Sequence, residues 1–232
     1  MAIKDGLTWV ETLKECWKGR LVNRTIYDCI KRALDVAAAG SCLVVTSPII
    51  AIAALVVLIR MGRPVLFSQE RPGKDGKIFR LWKFRTMLSP DPGKGLIEDD
   101  QRLTPLGQLL RSTSLDELPS LVNVLLGDMS IVGPRPLLVR YLDRYSLEQM
   151  RRHQVRPGIT GLAQCKGRNA LTWDEKFAWD IAYIESRSLL LDAKILVWTI
   201  RSVIRREGIS SNQHATMPEF FGSTLDSSED VK

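Results

Sequence analysis

The sequence is poor in the residues that build metal and thiol sites. Its four cysteines, Cys16, Cys29, Cys42 and Cys165, are scattered without a C-x-x-C pair, and it has two histidines, His153 and His214. No zinc site can be read from that set, and no Cys/His pairing points to a nucleophilic thiol; reduced thiols in a cytosolic compartment are the simplest account. There is no G-x-x-x-x-G-K-[ST] loop and no G-x-G-x-x-G turn, which argues against a P-loop kinase or a dinucleotide-binding enzyme. There is no G-x-S-x-G elbow of the kind a serine hydrolase uses. The first 30 residues are charged and lack a continuous apolar region, so a cleavable signal peptide is not expected. No internal repeat is found.

What is present is an apolar, basic chain of 232 residues, 45% hydrophobic, with a formal net charge of +7 and a pI near 9.4. That is enough apolar material for one ordinary domain beside a membrane segment. The positive balance suggests an anionic partner: nucleic acid, anionic lipid or a phosphorylated substrate.

The longest low-charge run spans 33–59, where Asp35 is the sole charge. About 20 apolar residues suffice for a straight transmembrane helix, so length permits a span. Two features favour a different path. Ser47-Pro48 sits near the middle, and proline removes a helical hydrogen bond and clashes with the preceding turn. The Ser47 hydroxyl can bond back to a carbonyl one turn earlier and relieve the break. Both flanks are also basic, Lys31 and Arg32 before the run, Arg60 and Arg63 after it, and positive charge marks the cytoplasmic side. Each half, about 14 residues, would reach roughly 21 Å, short of a core about 30 Å thick. A helix-break-helix hairpin that enters one leaflet and returns fits these clues; a proline-containing straight span stays open.

Around this run the chain divides by pattern. Residues 1–32 read as an amphipathic leader, with Trp9, Val10, Leu13 and Trp17 at helical spacing. "PVLFSQE" and "IFRLWKFRTM" have strand character and flank a Gly/Pro turn. "LTPLGQLLRS", "DELPSLVNVLLG" (stopped by Gly127), "YLDRYSLEQMRRHQV" and "TWDEKFAWDIAYIES" read as helices. "VGPRP" reads as a rigid turn. "SLLLDAKILVWTIRSVIRRE" is apolar on one face and basic at its end, as either an interfacial or a packed helix would be. From Gly208 the composition becomes small and polar, which reads as a disordered tail.

"SLDELP" sets two carboxylates side by side, Asp116 and Glu117. Ser114 and Glu117 form an S-x-x-E capping box, which is the plain reading. The chemical reading is a carboxylate that ligates Mg²⁺ or attacks a phosphoryl group. Lys83, Arg85, Arg102, Arg111 and Arg135 surround it in sequence, and cations of this kind neutralise phosphate oxygens. A solvated surface charge is the alternative for any one of them.

The ordered set "KRALD…TSP", "RPG…IFRLWKFRTM", "DDQRLTPLGQLLRSTSLDELPSLVNVLLGDMSIVGPRPLL" and "RPGITGLAQCKGRN" resembles the bacterial sugar transferases, and more closely the small monotopic phosphoglycosyl transferases of the PglC type, from about Lys31 to Gly208. The resemblance implies transfer of a sugar 1-phosphate from a UDP-sugar to undecaprenyl phosphate at the bacterial inner membrane, with the catalytic domain on the cytoplasmic face. It implies an α+β fold: a re-entrant membrane helix hairpin over 33–59 broken at Ser47 and Pro48, then a small, mainly helical catalytic domain over 60–207 with short strands and interfacial helices. It implies Asp116 as nucleophile of an aspartyl-phosphosugar intermediate, Glu117 as its dyad partner, and Mg²⁺ at the diphosphate, held by Asp116 and Glu117. Arg111 and Arg135 match its phosphate- and nucleotide-binding positions; Lys83, Arg85 and Arg156 complete the expected basic set. An N-acetylated amino sugar is the expected sugar, and nucleic acid is not expected as a partner. The leader is longer than in the minimal relatives. A membrane-anchored, non-enzymatic basic module that binds anionic lipid or nucleic acid is the competing class; it has no need of a carboxylate pair amid arginines.

Overall fold

The computed structural model of the chain describes residues 5–167, 171–205 and 219–222. It is a mixed helical and sheet structure, mostly helical, built on one long N-terminal helix, α1 (Asp5–Met61). The expected amphipathic leader rests on Trp9 to Trp17, whose side chains lie outside the described residues; the backbone there is continuous with α1. The 24–61 part of α1 is long and apolar enough to cross a membrane, by length and composition. Val44, Val45, Ile52 and Ile59 on it are more than 60% exposed.

The helix runs through Pro48 without interruption. Proline there cannot donate to the Val44 carbonyl four residues back. The Ser47 hydroxyl donates to that carbonyl instead, at 2.8 Å, while Thr46 donates to the Cys42 carbonyl. The sequence expectation for Ser47 is thus met at the orphaned oxygen itself.

After α1, β1 (Leu66–Pro72) and β2 (Ile78–Phe84) form an antiparallel hairpin with Leu66 opposite Phe84 and Pro72 opposite Ile78. Its two halves meet different parts of α1. Phe79 and Leu81 pack with Ala39, Cys42 and Leu43 of α1, and with Leu121, Val124 and Met129. Phe84 packs with Ile50, Ala53 and Val57, and with Leu110. Short helices follow: α2 (Asp99–Arg102), α3 (Pro105–Ser112) and α4 (Leu121–Leu126), which ends at Gly127. Gly107 lets α3 lie against the hairpin's exit, since a Cβ there would sit 1.9 Å from the Thr86 carbonyl oxygen.

The remaining elements are β3 (Ser130–Val132), α5 (Leu147–Met150), β4 (Gly158–Thr160), α6 (Leu162–Lys166), α7 (Trp173–Ser186) and α8 (Leu189–Arg205). β3 and β4 pair in parallel, a small sheet that the sequence hides inside a turn and a helix end. The one charge in the apolar run, Asp35, accepts hydrogen bonds from the Ser130 hydroxyl and the Ile131 N–H, which fastens β3 to α1. Lys31 pairs with Asp35 and with Asp192 of α8, and Tyr27 and Tyr183 both donate to Asp192. Buried polar groups keep their partners in this way.

Two expectations are corrected. The single helix read over "YLDRYSLEQMRRHQV" is three short turns, 139–144, α5 and 151–154. Ser146 caps α5 and restarts the helical path, and Tyr141, Gln149, Arg152 and His153 are all buried. The tail expected to be disordered from Gly208 contains a docked segment, Glu219–Gly222. Phe220 is 1% exposed among Tyr141, Tyr145, Trp173 and Phe177. Arg144 donates to the Glu219 carboxylate and to the Phe220 carbonyl. The other residues after Arg205 lie outside the described set.

Candidate active site

The carboxylate pair stands on a 3₁₀ turn, Leu115–Ser120. A 3₁₀ helix has three residues per turn, so positions three apart eclipse. Leu115 packs into the cluster around Val57 and Leu110, and Leu118 into the cluster around Ala39 and Leu121. With those two leucines fixed on the α1 side, Asp116 and Glu117 are left to the other faces of the turn. Ser114 precedes them with φ 58° and makes no side-chain capping bond. The capping box read from the sequence is therefore absent, and Glu117 does not serve as a helix cap.

Glu117 is engaged elsewhere. Its Oε1 accepts from Lys83 Nζ at 2.5 Å and from Arg135 at 2.8 Å. Lys83 reaches it because strand alternation places residue 83 on the face of β2 that also carries the buried Phe79 and Leu81. Arg135 comes from the turn after β3. Arg111 on α3 is oriented by its Nε–H, which donates to the buried Thr86 hydroxyl at 3.1 Å. Asp116 is 8% exposed, and no hydrogen bond to its carboxylate is present among the described residues.

Neighbouring carboxylates thus titrate in opposite directions. Burial, reinforced by the Glu117 charge, pushes Asp116 up from 3.8 to about 6 against the pull of Lys83, Arg135 and Arg111. Burial also opposes ionisation of Glu117, but the Arg135 and Lys83 charges overcome it and hold that carboxyl far below the usual carboxylate range. Burial lowers Lys83, with Glu117 opposing; it lowers Arg111, with Asp116 opposing. Glu117 raises Arg135. Three cations face two carboxylates, and the excess positive charge suits an anionic ligand such as a phosphate.

The structure brings together Asp116, Glu117, Lys83, Arg135 and, through mutual electrostatics, Arg111. It does not bring Arg85, Arg102 or Arg156 into contact with the pair. Arg85 donates to the carbonyls of Met61, Arg63 and Met87, closing the exit from α1. Arg102 donates to the Leu88 carbonyl and Asp99. Arg156 donates to the Gly127 carbonyl, at the opposite end of β3 from Arg135. Nothing in the sequence singles out Thr86, because no motif distinguishes it from any threonine just past a strand end.

Among the described residues there is no group of three or more Asp, Glu, His or Cys able to hold a metal ion. Mg²⁺ commonly uses one or two carboxylates and takes its other oxygens from phosphates and water. The free carboxylate of Asp116 and the second oxygen of Glu117 fit that donor set. The adjacent cations oppose a bare dication, so the residues fit Mg²⁺ accompanied by a diphosphate.

Comparison with known proteins gives a consistent picture. A family profile described as bacterial sugar transferase matches residues 26–206. The chain is 51% identical over 195 residues to the uncharacterized sugar transferase EpsL of Bacillus subtilis, covering 84% of this chain and 96% of that one. It is 41% identical over 192 residues to the UDP-glucose:undecaprenyl-phosphate glucose-1-phosphate transferase of Caulobacter vibrioides, covering 78% and 72%. It is 38% identical over 208 residues to the UDP-N-acetylgalactosamine-undecaprenyl-phosphate N-acetylgalactosaminephosphotransferase of Aeromonas hydrophila, covering 86% of this chain and 49% of that one.

Proposed function

The chain belongs to the bacterial sugar transferase family, and from that premise we propose that it transfers a sugar 1-phosphate from a UDP-sugar to undecaprenyl phosphate, releasing UMP. The observation that carries the reading is a buried carboxylate, Asp116, that has no hydrogen-bond partner among the described residues and stands beside a carboxylate neutralised by two cations. The named relatives act on UDP-glucose and UDP-N-acetylgalactosamine, so the sugar is assigned only as a hexose or its N-acetylated amine.

The Asp116 carboxylate oxygen attacks the β-phosphorus of the UDP-sugar. A new O–P bond forms, the bond to the bridging oxygen breaks, and UMP leaves with that electron pair. An oxygen of the lipid phosphate then attacks the same phosphorus; the aspartyl bond breaks and the carboxylate is restored. Lys83, Arg111 and Arg135 bind and neutralise the phosphate oxygens, while Glu117 keeps Lys83 and Arg135 in place. When bound with the diphosphate by Asp116 and Glu117, Mg²⁺ supplies charge neutralisation that lets an anionic nucleophile approach. A dication held this way should bind only together with nucleotide. Titrating Mg²⁺ calorimetrically into free protein is expected to give little heat and, with UDP present, a saturable isotherm; equal affinity in both cases would contradict the assignment.

The enzyme is monotopic, seated in the inner membrane from its cytoplasmic face, with α1 re-entering at Ser47-Pro48. The basic flanks, the Ser47 bond to the Val44 carbonyl and the packing of both halves of α1 on one domain support this. Replacing Ser47 and Pro48 together by alanine restores an unbroken helical ladder. A cysteine introduced before Lys31 should then become accessible from the periplasm in a substantial fraction of molecules. Native, cytoplasmic-only labelling of that variant would contradict the role given to these residues.

The activity is tested by supplying purified protein with undecaprenyl phosphate, Mg²⁺ and a panel of UDP-hexoses. UMP release and a lipid-linked sugar are expected for at least one member. No UMP across the panel would overturn the reading in favour of a binding module.

A further inference from the structure

The turn that carries Arg135 is poorly equipped to hold itself. Pro134 and Pro136 flank the arginine, so two of three successive residues lack an N–H, and backbone ladders cannot stitch the turn. It is nevertheless fixed. The Gly158 N–H donates to the Pro134 carbonyl at 2.9 Å. Gly133 and Gly158 lie back to back, closer than a Cβ on Gly158 would allow, 2.1 Å from the Gly133 nitrogen. The two carbonyls that follow are each met by an arginine. Arg152 donates to the Arg135 carbonyl at 2.8 Å, and Arg71 donates to the Pro136 carbonyl at 3.4 Å.

Arg152 is the stronger anchor and an expensive one. It is 3% exposed, and a guanidinium so buried requires a compensating charge. Asp180 of α7, 4% exposed, provides it with a double contact, accepting from Nε at 3.2 Å and from Nη2 at 2.7 Å. The Tyr145 hydroxyl accepts a further bond at 3.3 Å. The rings of Tyr145 and Phe177 lie 5.8 and 5.6 Å from the guanidinium carbon. A buried ion pair of this kind contributes little net stability compared with an apolar pair of similar volume. Its Nη2 spans Asp180 and the Arg135 carbonyl, and the Arg135 side chain in turn holds Glu117.

We propose that Arg152, clamped by Asp180, is a positioning residue for phosphoglycosyl transfer: it holds the proline-flanked turn so that Arg135 meets Glu117 beside Asp116. The inference rests on the reaction proposed above, and the unsubstituted enzyme assayed in parallel separates the two. If that enzyme releases no UMP, the functional reading fails; if it is active and the variants match it, this inference fails.

Two variants test it. Arg152→Lys keeps a charge for Asp180 but cannot bridge Asp180 and the Arg135 carbonyl with planar, forked geometry. The double variant Arg152→Met with Asp180→Leu removes the buried pair in favour of apolar packing. Each is scored for fold by circular dichroism and thermal midpoint. Turnover is counted per UDP-binding site, measured by calorimetry, so that inactive protein does not lower the apparent rate. Both variants are expected to fold, the double variant with a midpoint at or above that of the parent, and both to lose at least about tenfold in kcat, as misplacement of a site group by a fraction of an ångström does. KM for the UDP-sugar should change by less than about threefold, with Arg111 and Lys83 still present to bind phosphate. Folded variants with parental kcat per site would overturn the proposal. Loss of fold in both would overturn it as well, because the pair would then be holding the domain and not the turn.

Discussion

Asp116→Asn is expected to abolish turnover and, at the same time, to make the protein more stable above pH 6. The two effects share one cause. The Asp116 carboxyl is buried beside Glu117 and is pushed up to about 6 from 3.8. The folded state therefore binds this proton more tightly than the unfolded chain does. As pH rises from about 3.8 to 6 the group's contribution to stability falls, and above 6 the full cost of an ionised, buried carboxylate is present. That cost is about 3 kcal/mol at most, at 1.36 kcal/mol per pH unit. Asparagine is neutral at every pH and never incurs it. The difference in Tm between variant and parent should thus be small near pH 4 and reach several degrees by pH 8. A constant Tm difference across that range would show that the carboxyl is not strained in this way. The loss of turnover follows because an amide cannot serve as the attacking oxygen. Stability withheld at a reactive group is a common feature of active sites.

Glu117→Gln, one residue further on, should change stability in the opposite direction. Glu117 is the shared partner of Lys83 and Arg135, and its carboxylate is favoured in the folded state by both. Removing its charge leaves two cations facing each other with burial already working against Lys83. The loss should be about 2 kcal/mol, less than for a fully buried pair, because the Arg135 side chain is 45% exposed. Turnover should fall by roughly 10² to 10³, the scale of removing one group that organises charge in a site. Binding of UDP should be retained, since the cations remain. Thermal midpoints of both variants at pH 8 test the contrast directly: one above the parent, one below. Equal shifts of the same sign would contradict the roles assigned to the pair.

Much of this site can be read from the sequence, and the exceptions have physical causes. Asp116 and Glu117 stand out as adjacent acids amid turns, and the 33–59 run with its proline is visible from composition alone. The hairpin, α7 and α8 follow from their periodicity. Partner choice is a different matter. Ser114 and Glu117 have capping-box spacing, yet the competing attraction of Lys83 and Arg135 takes the glutamate, and both cations come from distant parts of the chain. Arg85, Arg102 and Arg156 resemble phosphate ligands in sequence, but each donates to at least one backbone carbonyl, and Arg102 to Asp99 as well; most side-chain hydrogen bonds go to backbone or water. Arg152 sits among other charges in "MRRHQ", and nothing local marks it as the one drawn inward by Asp180. The parallel pairing of β3 with β4 joins strands of three residues each, too short for alternation to register. Phe220 is invisible for the same reason: two adjacent phenylalanines in a polar tail give no period, and the value of Phe220 comes from the four rings that receive it.

The central claim is that Asp116 carries the sugar phosphate between the two substrates. The protein is mixed with Mg²⁺ and the UDP-hexose it accepts, undecaprenyl phosphate is withheld, and the reaction is quenched in acid within milliseconds to seconds for intact-mass analysis and peptide mapping. The account predicts a mass increase of one sugar phosphate on the peptide bearing Asp116, UMP in equal amount, and loss of the adduct when lipid phosphate is added before the quench. Turnover with both substrates, but neither adduct nor UMP when the lipid is withheld, would contradict it and assign the attack on the β-phosphorus to the lipid phosphate itself.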